Sequence, residues 1–387
     1  MKTKLIYLFA VLCSTGAFTA CSNNNGGDDP QPDVPILLKG ENIYSGDKLA
    51  LTYSDAVMPG KQIKFATTDG KTGTLTMSGT LDILSLLQSK SDNTASSMSI
   101  PGVIPGETTT IISNIELKQS GNKYTFAGKE EKENRSVEFT GEVDSTKLTL
   151  SLKVEMTVPQ ELLDSWNLKT YDGQQSLPIY TAWTSGQNIK IGGRDYTPQE
   201  FLSMILNTQF VGGNSPYQLL NAVLKKVTFK ADGNIIASYS KGENINNPQW
   251  VDSPVNMAQY YVKDNTIYLL LNPTMLLSAL GTKAETATPM DKVIANLIEV
   301  ALPMLGTGFP LTYKMEGQNL TVYADTKLVM SLLNAVSPLL EDQEFIQGII
   351  AKMPSNLQQM IQAVFAQLPE VLASTQQFEV GINLNKQ

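Results

Sequence analysis

The first half of the chain, from about residue 36, is a succession of short segments in which apolar and polar residues alternate. The clearest segment runs from Leu148 to Met156, where every second residue is apolar. Strict alternation is typical of a strand with one buried face. Turn-forming sequences such as Asp69-Gly70 and Ser120-Gly121-Asn122 separate these segments. The pattern predicts strands over residues 48–53, 62–67, 72–78, 109–119, 123–128, 136–142 and 147–156.

One segment of the first half interrupts the alternation. Residues 81–99 contain four leucines spaced as in a short helix, followed by a serine-rich stretch. The strands on either side follow one another through short turns, which predicts an antiparallel meander closed into a barrel or sandwich. We expect the helix to cover one mouth of such a barrel.

The second half combines hairpins with helices. Four capping residues each precede a proline, the arrangement that starts a helix, at Thr197-Pro198, Ser215-Pro216, Asn272-Pro273 and Thr288-Pro289. Hairpins are predicted over 226–239, 257–271 and 311–323, around turns such as Asp232-Gly233. Residues 328–368 carry three apolar stripes at helical spacing before a closing strand over 376–384. We therefore expect the helices to be an insertion packed on a sheet.

These patterns predict a mostly β fold. Its N-terminal part is an antiparallel β-barrel or meander, and an α+β domain of hairpins with inserted amphipathic helices follows. The chain divides into a signal segment at 1–20, a tether at 21–35, the β-barrel-like domain at 36–160, a linker at 161–177 and the α+β domain at 178–387.

The N-terminus has the form of a lipoprotein signal. Two lysines precede an apolar run that is too short to span a bilayer. The run ends in Phe18-Thr19-Ala20-Cys21, which resembles a bacterial lipobox, so Cys21 is the predicted lipidation site. The acyl chains would anchor the protein in a membrane without a transmembrane helix. The polar, Gly-, Asn- and Asp-rich residues up to 35 predict a disordered tether.

Composition excludes most common catalytic machinery. The chain has no histidine, and its two cysteines are Cys13 and Cys21, which excludes histidine-based hydrolysis, histidine-ligated metals and a cysteine nucleophile in the body. The acidic cluster Glu130-Glu131 and Glu133 lies in a predicted turn, where solvated charge is the simpler interpretation than a catalytic pair. We therefore expect a protein that is not an enzyme, with no metal and no cofactor.

Charge narrows the choice of partner. The formal net charge is −8, and removal of residues 1–20 takes away two lysines and no acid. A net negative body argues against nucleic acid and against adsorption to anionic lipid. The predicted membrane contact is therefore the lipid anchor alone. Asp144-Ser145-Thr146 resembles an O-glycosylation sequon of Bacteroidetes secreted proteins, which makes Ser145 a candidate modification site.

The chain resembles a family of Bacteroidetes lipoproteins with calycin-like (lipocalin-like) β-barrel domains of unknown function. The resemblance rests on the lipobox, the tether, Tyr44-Ser-Gly-Asp-Lys-Leu49, and Val227-Thr-Phe-Lys-Ala-Asp-Gly-Asn234 followed by Trp250 and Tyr260. It covers most of the chain after residue 40. It implies barrel domains, with a lipocalin-like domain and helical insertion over 178–387, and an outer-membrane address, and it brings no catalytic residues. The acidic residues Asp28, Asp29 and Asp33 of the tether resemble the export signal of Bacteroidetes surface lipoproteins, which favours the cell surface over the periplasmic face.

Two functions from different classes remain open. The first is binding of an apolar or amphipathic small molecule, for which the candidate residues are Trp183, Trp250, Tyr180 and Tyr260. It predicts a cavity lined by aliphatic and methionine side chains. The alternative is a structural or accessory subunit of a surface nutrient-uptake or adhesion complex, which predicts a filled interior and an exposed apolar patch. Glycan hydrolysis ranks third and would need a facing carboxylate pair.

Overall fold

The computed structural model describes residues 38, 40–80, 100–173, 175–209, 213–242, 244–275, 304–340, 343–351 and 355–386. This part of the chain is mostly β, as the alternating pattern predicts. The predicted signal, tether and lipidated Cys21 lie outside the described residues. So do the predicted helix and loop over 81–99 and the predicted cap at Thr288-Pro289.

The described residues of the first unit form two sheets. Its strands are β1 (Gly40–Ser45), β2 (Leu49–Tyr53), β3 (Ala56–Val57), β4 (Lys61–Thr67), β5 (Thr72–Gly79), β6 (Thr109–Glu116), β7 (Lys118–Ser120), β8 (Lys123–Lys132), β9 (Arg135–Val143) and β10 (Leu148–Met156). A short 3-10 turn, Gly46–Lys48, lies between β1 and β2. One sheet has the order β1-β4-β5-β6 and the other the order β3-β2-β10-β9-β8-β7.

The two sheets enclose one apolar core. The alternate residues of β4, β5 and β10 that face inward are fully buried, and the rings of Phe65 and Phe126 stack between the sheets with centroids 6.2 Å apart. The predicted strands are present, but the predicted purely antiparallel meander is not. Strand β10 pairs with β2 in parallel, because β1 and β2 form a nearly continuous segment that leaves one sheet and enters the other.

The described residues of the second unit form twelve strands. They are β11 (Ser165–Leu168), β12 (Ile179–Ser185), β13 (Ile189–Ile191), β14 (Arg194–Tyr196), β15 (Leu224–Phe229), β16 (Asn234–Ser240), β17 (Trp250–Asp252), β18 (Ala258–Lys263), β19 (Thr266–Leu271), β20 (Phe309–Glu316), β21 (Asn319–Ala324) and β22 (Thr375–Lys386). The hairpin pairs β15 with β16, β18 with β19, and β20 with β21 confirm the three predicted hairpins.

Eight of these strands form a closed antiparallel barrel. The order is β11-β15-β16-β18-β19-β20-β21-β22, and β22 pairs back onto β11. The closed ring therefore lies in the half for which the sequence pattern predicted an α+β domain and the family resemblance a lipocalin-like domain, and the predicted linker 161–177 contains β11, one of its strands. The reason is that a sequence pattern identifies strands joined by a short turn. The closure of β22 onto β11 joins strands that are distant in sequence, so no local pattern reports it.

The two ends of the barrel differ. At one end, which we call the turn end, short turns join β15 to β16, β18 to β19, and β20 to β21. In the β18–β19 turn, Asp264 and Asn265 both have positive φ, 50° and 57°, as the favoured two-residue hairpin turn requires. The longer connections leave from the opposite end, among them the helical segment between β21 and β22.

The described part of the chain places five helices beside the barrel: α1 (Pro198–Asn207), α2 (Pro216–Val223), α3 (Thr326–Leu340), α4 (Gln343–Ile350) and α5 (Ser355–Ala373). The predicted caps are confirmed for the first two. Thr197 with Glu200 and Ser215 with Gln218 each form a capping box. Asn272 also caps its turn, since its side-chain oxygen accepts from the Met275 backbone N–H at 3.2 Å. Helices α3 to α5 lie between β21 and β22, as predicted for an insertion.

The turn end of the barrel packs on the first unit. The Tyr53 hydroxyl donates to the Asp232 carbonyl at 2.5 Å, and the Met156 N–H donates to the Ala231 carbonyl at 2.8 Å. Buried residues from both units, among them Tyr53, Met156 and Tyr260, form one continuous apolar cluster. The first unit therefore closes the barrel floor at Asp232 and Gly233.

Residues 100–108 are a loop held between the units, which we call the central loop. Its residues 101–105 are buried, and the ammonium group of Lys61 donates to the carbonyls of Pro101 and Gly102 at 2.9 and 2.7 Å. Burial lowers the pKa of Lys61 to about 8. Two backbone carbonyls thus hold this amine in the interior.

Candidate ligand-binding cavity

The inward-facing side chains of the barrel differ in size along its axis. At the turn end they are large and buried. Trp166, Tyr260 and Leu320 are each at most 1% exposed, and Tyr260 packs edge-on against Phe229 with ring centroids 5.2 Å apart. These side chains fill the barrel next to the first unit, so any internal space must lie toward the other end.

The rest of the barrel encloses a cavity of about 390 Å³. An eight-stranded barrel has an interior just wide enough for side chains or for one small ligand. The cavity arises where the inward side chains are aliphatic instead of aromatic. Its lining comes from seven strands, from α2 and from one loop residue: Leu220, Val223, Leu224, Val227, Phe229, Ile235, Ala237, Tyr239, Ser253, Ala258, Ile267, Leu269, Leu271, Leu311, Val322, Ile382 and Leu384.

The lining is not sealed from solvent. In a filled barrel, inward-facing aliphatic side chains are fully buried. Here Val227, Ile235 and Leu269 remain only half-buried. Val380, which lies on the cavity-facing side of β22 two residues before Ile382, is 37% exposed. An apolar surface that stays accessible inside a barrel provides a site where a ligand can replace water.

Helix α2 forms part of the cavity wall at the end opposite the turns. Its Leu220 and Val223, three residues apart on one helical face, contribute to the lining. The helix is held in place by Tyr171, whose ring stacks on Tyr217 at 5.1 Å. Asn221 accepts from the Tyr171 N–H at 2.7 Å and donates to the Lys169 carbonyl at 2.9 Å. Lys169 and Tyr171, which directly follow β11, thus position α2.

Among the described residues, the lining carries no charged side chain and two polar side chains. These are Tyr239 and Ser253, and both lie toward the α2 end. Tyr239 pairs across the ladder with Leu224, which directly follows α2. Burial raises the pKa of Tyr239, so the phenol is neutral at physiological pH. The Ser253 hydroxyl accepts from the Ala237 N–H at 3.0 Å. A ligand in the cavity would therefore make mainly dispersion contacts, with one polar region at Tyr239 and Ser253.

Two of the four aromatic candidates lie on β12, outside the cavity. Trp183 stacks on Phe378 with centroids 4.5 Å apart and donates to the Thr375 hydroxyl at 3.1 Å. Tyr180 donates to the Glu379 carboxylate at 2.8 Å, and burial together with that carboxylate raises its pKa to about 12. Trp183 belongs to a separate apolar cluster that joins β12 to the helices. Trp183 and Tyr180 therefore stabilise the packing of β12 on β22.

The other two candidates also do not line the cavity. Tyr260 is fully buried in the barrel floor and donates to the Lys230 carbonyl at 3.1 Å. Trp250 lies on β17 beside β16, with the Lys225 ammonium 6.0 Å from its ring centroid. The structure therefore does not bring Trp183, Trp250, Tyr180 and Tyr260 into one site. Only Tyr260 lies next to the cavity, through its contact with Phe229.

Glu130 and Glu131 of the acidic cluster lie on β8 instead of in the predicted turn, and both are paired with bases. Glu130 accepts from Arg135 at 2.6 Å, and Glu131 lies 2.8 Å from the Lys129 ammonium. These contacts agree with a structural interpretation of Glu130-Glu131. Ser145 is exposed in the turn between β9 and β10, so its glycosylation stays a prediction.

Sequence reasoning missed the residues that form the cavity. The side chains of Val227, Ala237 and Leu269 look like ordinary core positions, because alternation alone does not separate a filled interior from a hollow one. The sequence signal that could have indicated a cavity was the size of the inward-facing side chains. Ala237 is the small residue between inward-facing Ile235 and Tyr239 on β16, and a small residue at the middle of a barrel leaves space.

The fold and the cavity define a mostly β protein in which a closed eight-stranded antiparallel barrel surrounds an apolar, solvent-accessible cavity. The chain matches no family model, no curated protein and no solved structure. Within the described ranges, no helix is long and apolar enough to cross a membrane.

Proposed function

We propose that this protein is a non-enzymatic binding lipoprotein that holds an apolar or amphipathic small molecule inside its barrel. The observation that carries the proposal is the cavity of about 390 Å³ with an aliphatic lining. Ligand sites are generally apolar concavities of roughly 300–1,000 Å³ with few polar groups, and this cavity has that size and chemistry.

The lipid anchor and the outer-membrane address are part of the same proposal. They are supported by the basic start, the short apolar run and the small residues before Cys21. A tether from Cys21 to residue 35 would leave the barrel accessible to molecules at the membrane surface. We propose the cell surface over the periplasmic face on the acidic residues of that tether.

The alternative, a structural or accessory subunit, predicts a filled interior and a contiguous apolar surface. The large apolar side chains that are exposed in the described ranges are Ile43, Val57, Ile111 and Val380. Ile43 and Ile111 are separated on one sheet by Lys64 and Thr76, which occupy the same row of the ladder. This arrangement favours the binding proposal.

The proposal is tested by adding a neutral, apolar fluorescent dye to the purified protein. We expect saturable binding with one dye per chain, a blue-shifted emission, and a melting temperature that rises by several degrees when the dye is far above its Kd, because a ligand that binds only the folded state stabilises it by about 2.7 kcal/mol at 100 times Kd. Absence of saturable binding across neutral dyes, with the fold intact by circular dichroism, would contradict the proposal.

A further inference from the structure

We infer that the ligand is an uncharged molecule with one unbranched hydrocarbon chain, and that Phe229 sets the longest chain that the barrel accepts. This inference rests on the proposed function and adds to it the chemical class of the ligand and the residue that determines its length.

The charge of the ligand follows from the lining. Among the lining residues that the structure describes there is no Lys, Arg, Asp or Glu side chain, and a charged group placed beside them without a partner would lose its hydration uncompensated. The polar side chains Tyr239 and Ser253 lie toward α2. A small neutral head group therefore belongs at the α2 end, and the hydrocarbon chain extends toward the turn end.

The volume of the cavity favours a single chain. Leu, Ile and Val side chains line it, and an eight-stranded barrel has room for one small ligand at most. An apolar cavity of ~150 Å³ holds one benzene molecule, so by that scaling about 390 Å³ holds roughly 15 non-hydrogen atoms. A single chain places that many atoms along the barrel axis, whereas a fused ring system needs greater width.

Phe229 is the aromatic side chain at the inner limit of this space. It lines the cavity and is itself 5% exposed, and it packs against the fully buried Tyr260. The β15–β16 turn lies beyond Phe229. Gly233 of this turn lies close to Pro105 of the central loop and to Met156 of the first unit, which close this end of the barrel. A chain that reaches Phe229 has no further apolar space to enter.

The experiment measures displacement of a neutral dye by straight-chain primary alkanols of increasing length, using the full chain. We expect affinity to rise about fourfold per methylene and then to stop rising near roughly 15 carbons. In the Phe229→Ala variant the limit moves to chains longer by about two carbons or more, since the cavity is extended at its inner end.

Phe201→Ala is the matched control. Phe201 is a buried phenylalanine, 7% exposed, in the separate cluster next to the helices. We expect this variant to lose stability without a change in the length limit. If Phe229→Ala proves too unstable to assay, Phe229→Leu removes less volume and is expected to move the limit in the same direction.

The outcomes separate this inference from the proposed function. A dye that binds while the length limit is the same in wild type and Phe229→Ala overturns the inference and leaves the binding function in place. So does a sterol that displaces the dye better than every alkanol, or a fatty acid that binds more than about tenfold tighter than the alkanol of equal length. Failure of every dye and alkanol to bind overturns both.

Discussion

Replacing Arg135 with methionine is expected to destabilise the protein by about 3–5 kcal/mol, the cost of removing one partner from a buried ion pair. The Arg135 side chain is fully buried. It donates to Glu107 from Nε at 2.9 Å and from Nη2 at 3.2 Å, and to Glu130 from Nη1 at 2.6 Å. Without the guanidinium, two carboxylates remain in a poorly solvated site.

The position of Glu107 means that the loss of Arg135 also affects the contact between the two units. Glu107 belongs to the central loop, which lies between the first unit and the barrel. The neighbouring Gly106 lies against the ring of Tyr261, and Pro105 lies beside Gly233 at the barrel floor. Arg135 therefore fixes the loop through which the two units contact each other, and its loss is expected to loosen the floor of the cavity.

The pH dependence identifies the mechanism. Burial would raise the pKa of Glu107, but hydrogen bonds from Arg135 and Thr110 and the charges of Arg135 and Lys132 lower it below its usual value. A carboxyl with a lowered folded-state pKa stabilises the fold above its unfolded-state pKa, near 4.5, and that contribution is lost as the pH falls. The stability difference between wild type and Arg135→Met should therefore shrink below about pH 4.5.

The measurement is urea unfolding followed by tryptophan fluorescence at pH 7 and at pH 4. Lys123→Met is the matched control, because Lys123 pairs with Glu142 at an exposed site where the side chains are 38% and 46% exposed. Such a surface pair contributes at most about 1 kcal/mol. Equal losses in Arg135→Met and Lys123→Met would show that the buried network does not hold the central loop.

Replacing Ala237 with phenylalanine is expected to abolish binding while keeping the fold. Ala237 lines the cavity, is half-buried and pairs directly with Val227 across the β15–β16 ladder. A phenyl ring at this position occupies the space of several methylene groups, each worth ~0.8 kcal/mol when buried, so affinity for a neutral dye should fall on the order of 100-fold. Because the ring fills existing space, the melting temperature should stay the same or rise.

Ile236→Phe is the control for this prediction. Ile236 is the next residue on β16, so its side chain points to the opposite face of the strand, and it is absent from the cavity lining. Dye titrations of both variants and of wild type decide the result. Similar affinities in all three would place the dye outside the barrel, and loss of affinity in both would indicate a general effect on folding.

Much of the fold was predictable, for physical reasons that are visible in single segments. In β10, the alternation from Leu148 to Met156 matches a strand with one fully buried face. The cap-then-proline signals at Thr197 and Ser215 start helices because the side chain and the fixed proline φ act within one turn. The strand and the helix starts depend on residues that are close in sequence, so a local sequence pattern is enough to predict them.

The closure of the barrel and the cavity were not predictable in the same way. The pairing of β22 with β11 depends on where the whole chain between them goes. The aromatic residues Trp183 and Tyr260 were candidates because exposed aromatic rings bind ligands, yet both are packed and hydrogen-bonded in the structure. The cavity results from small and aliphatic residues on several strands, and only their arrangement in three dimensions distinguishes a lining from a core.

Binding of a hydrocarbon chain inside the barrel is tested most directly by a crystal structure of the protein grown with a straight-chain alkanol. The alkanol carries bromine at the end opposite the hydroxyl. The anomalous signal of bromine locates that end of the chain without reference to any model. We expect one bromine peak inside the eight-stranded barrel, next to the phenyl ring of Phe229. A barrel filled by its own side chains, or bromine found only on the outer surface of the protein, would contradict this expectation.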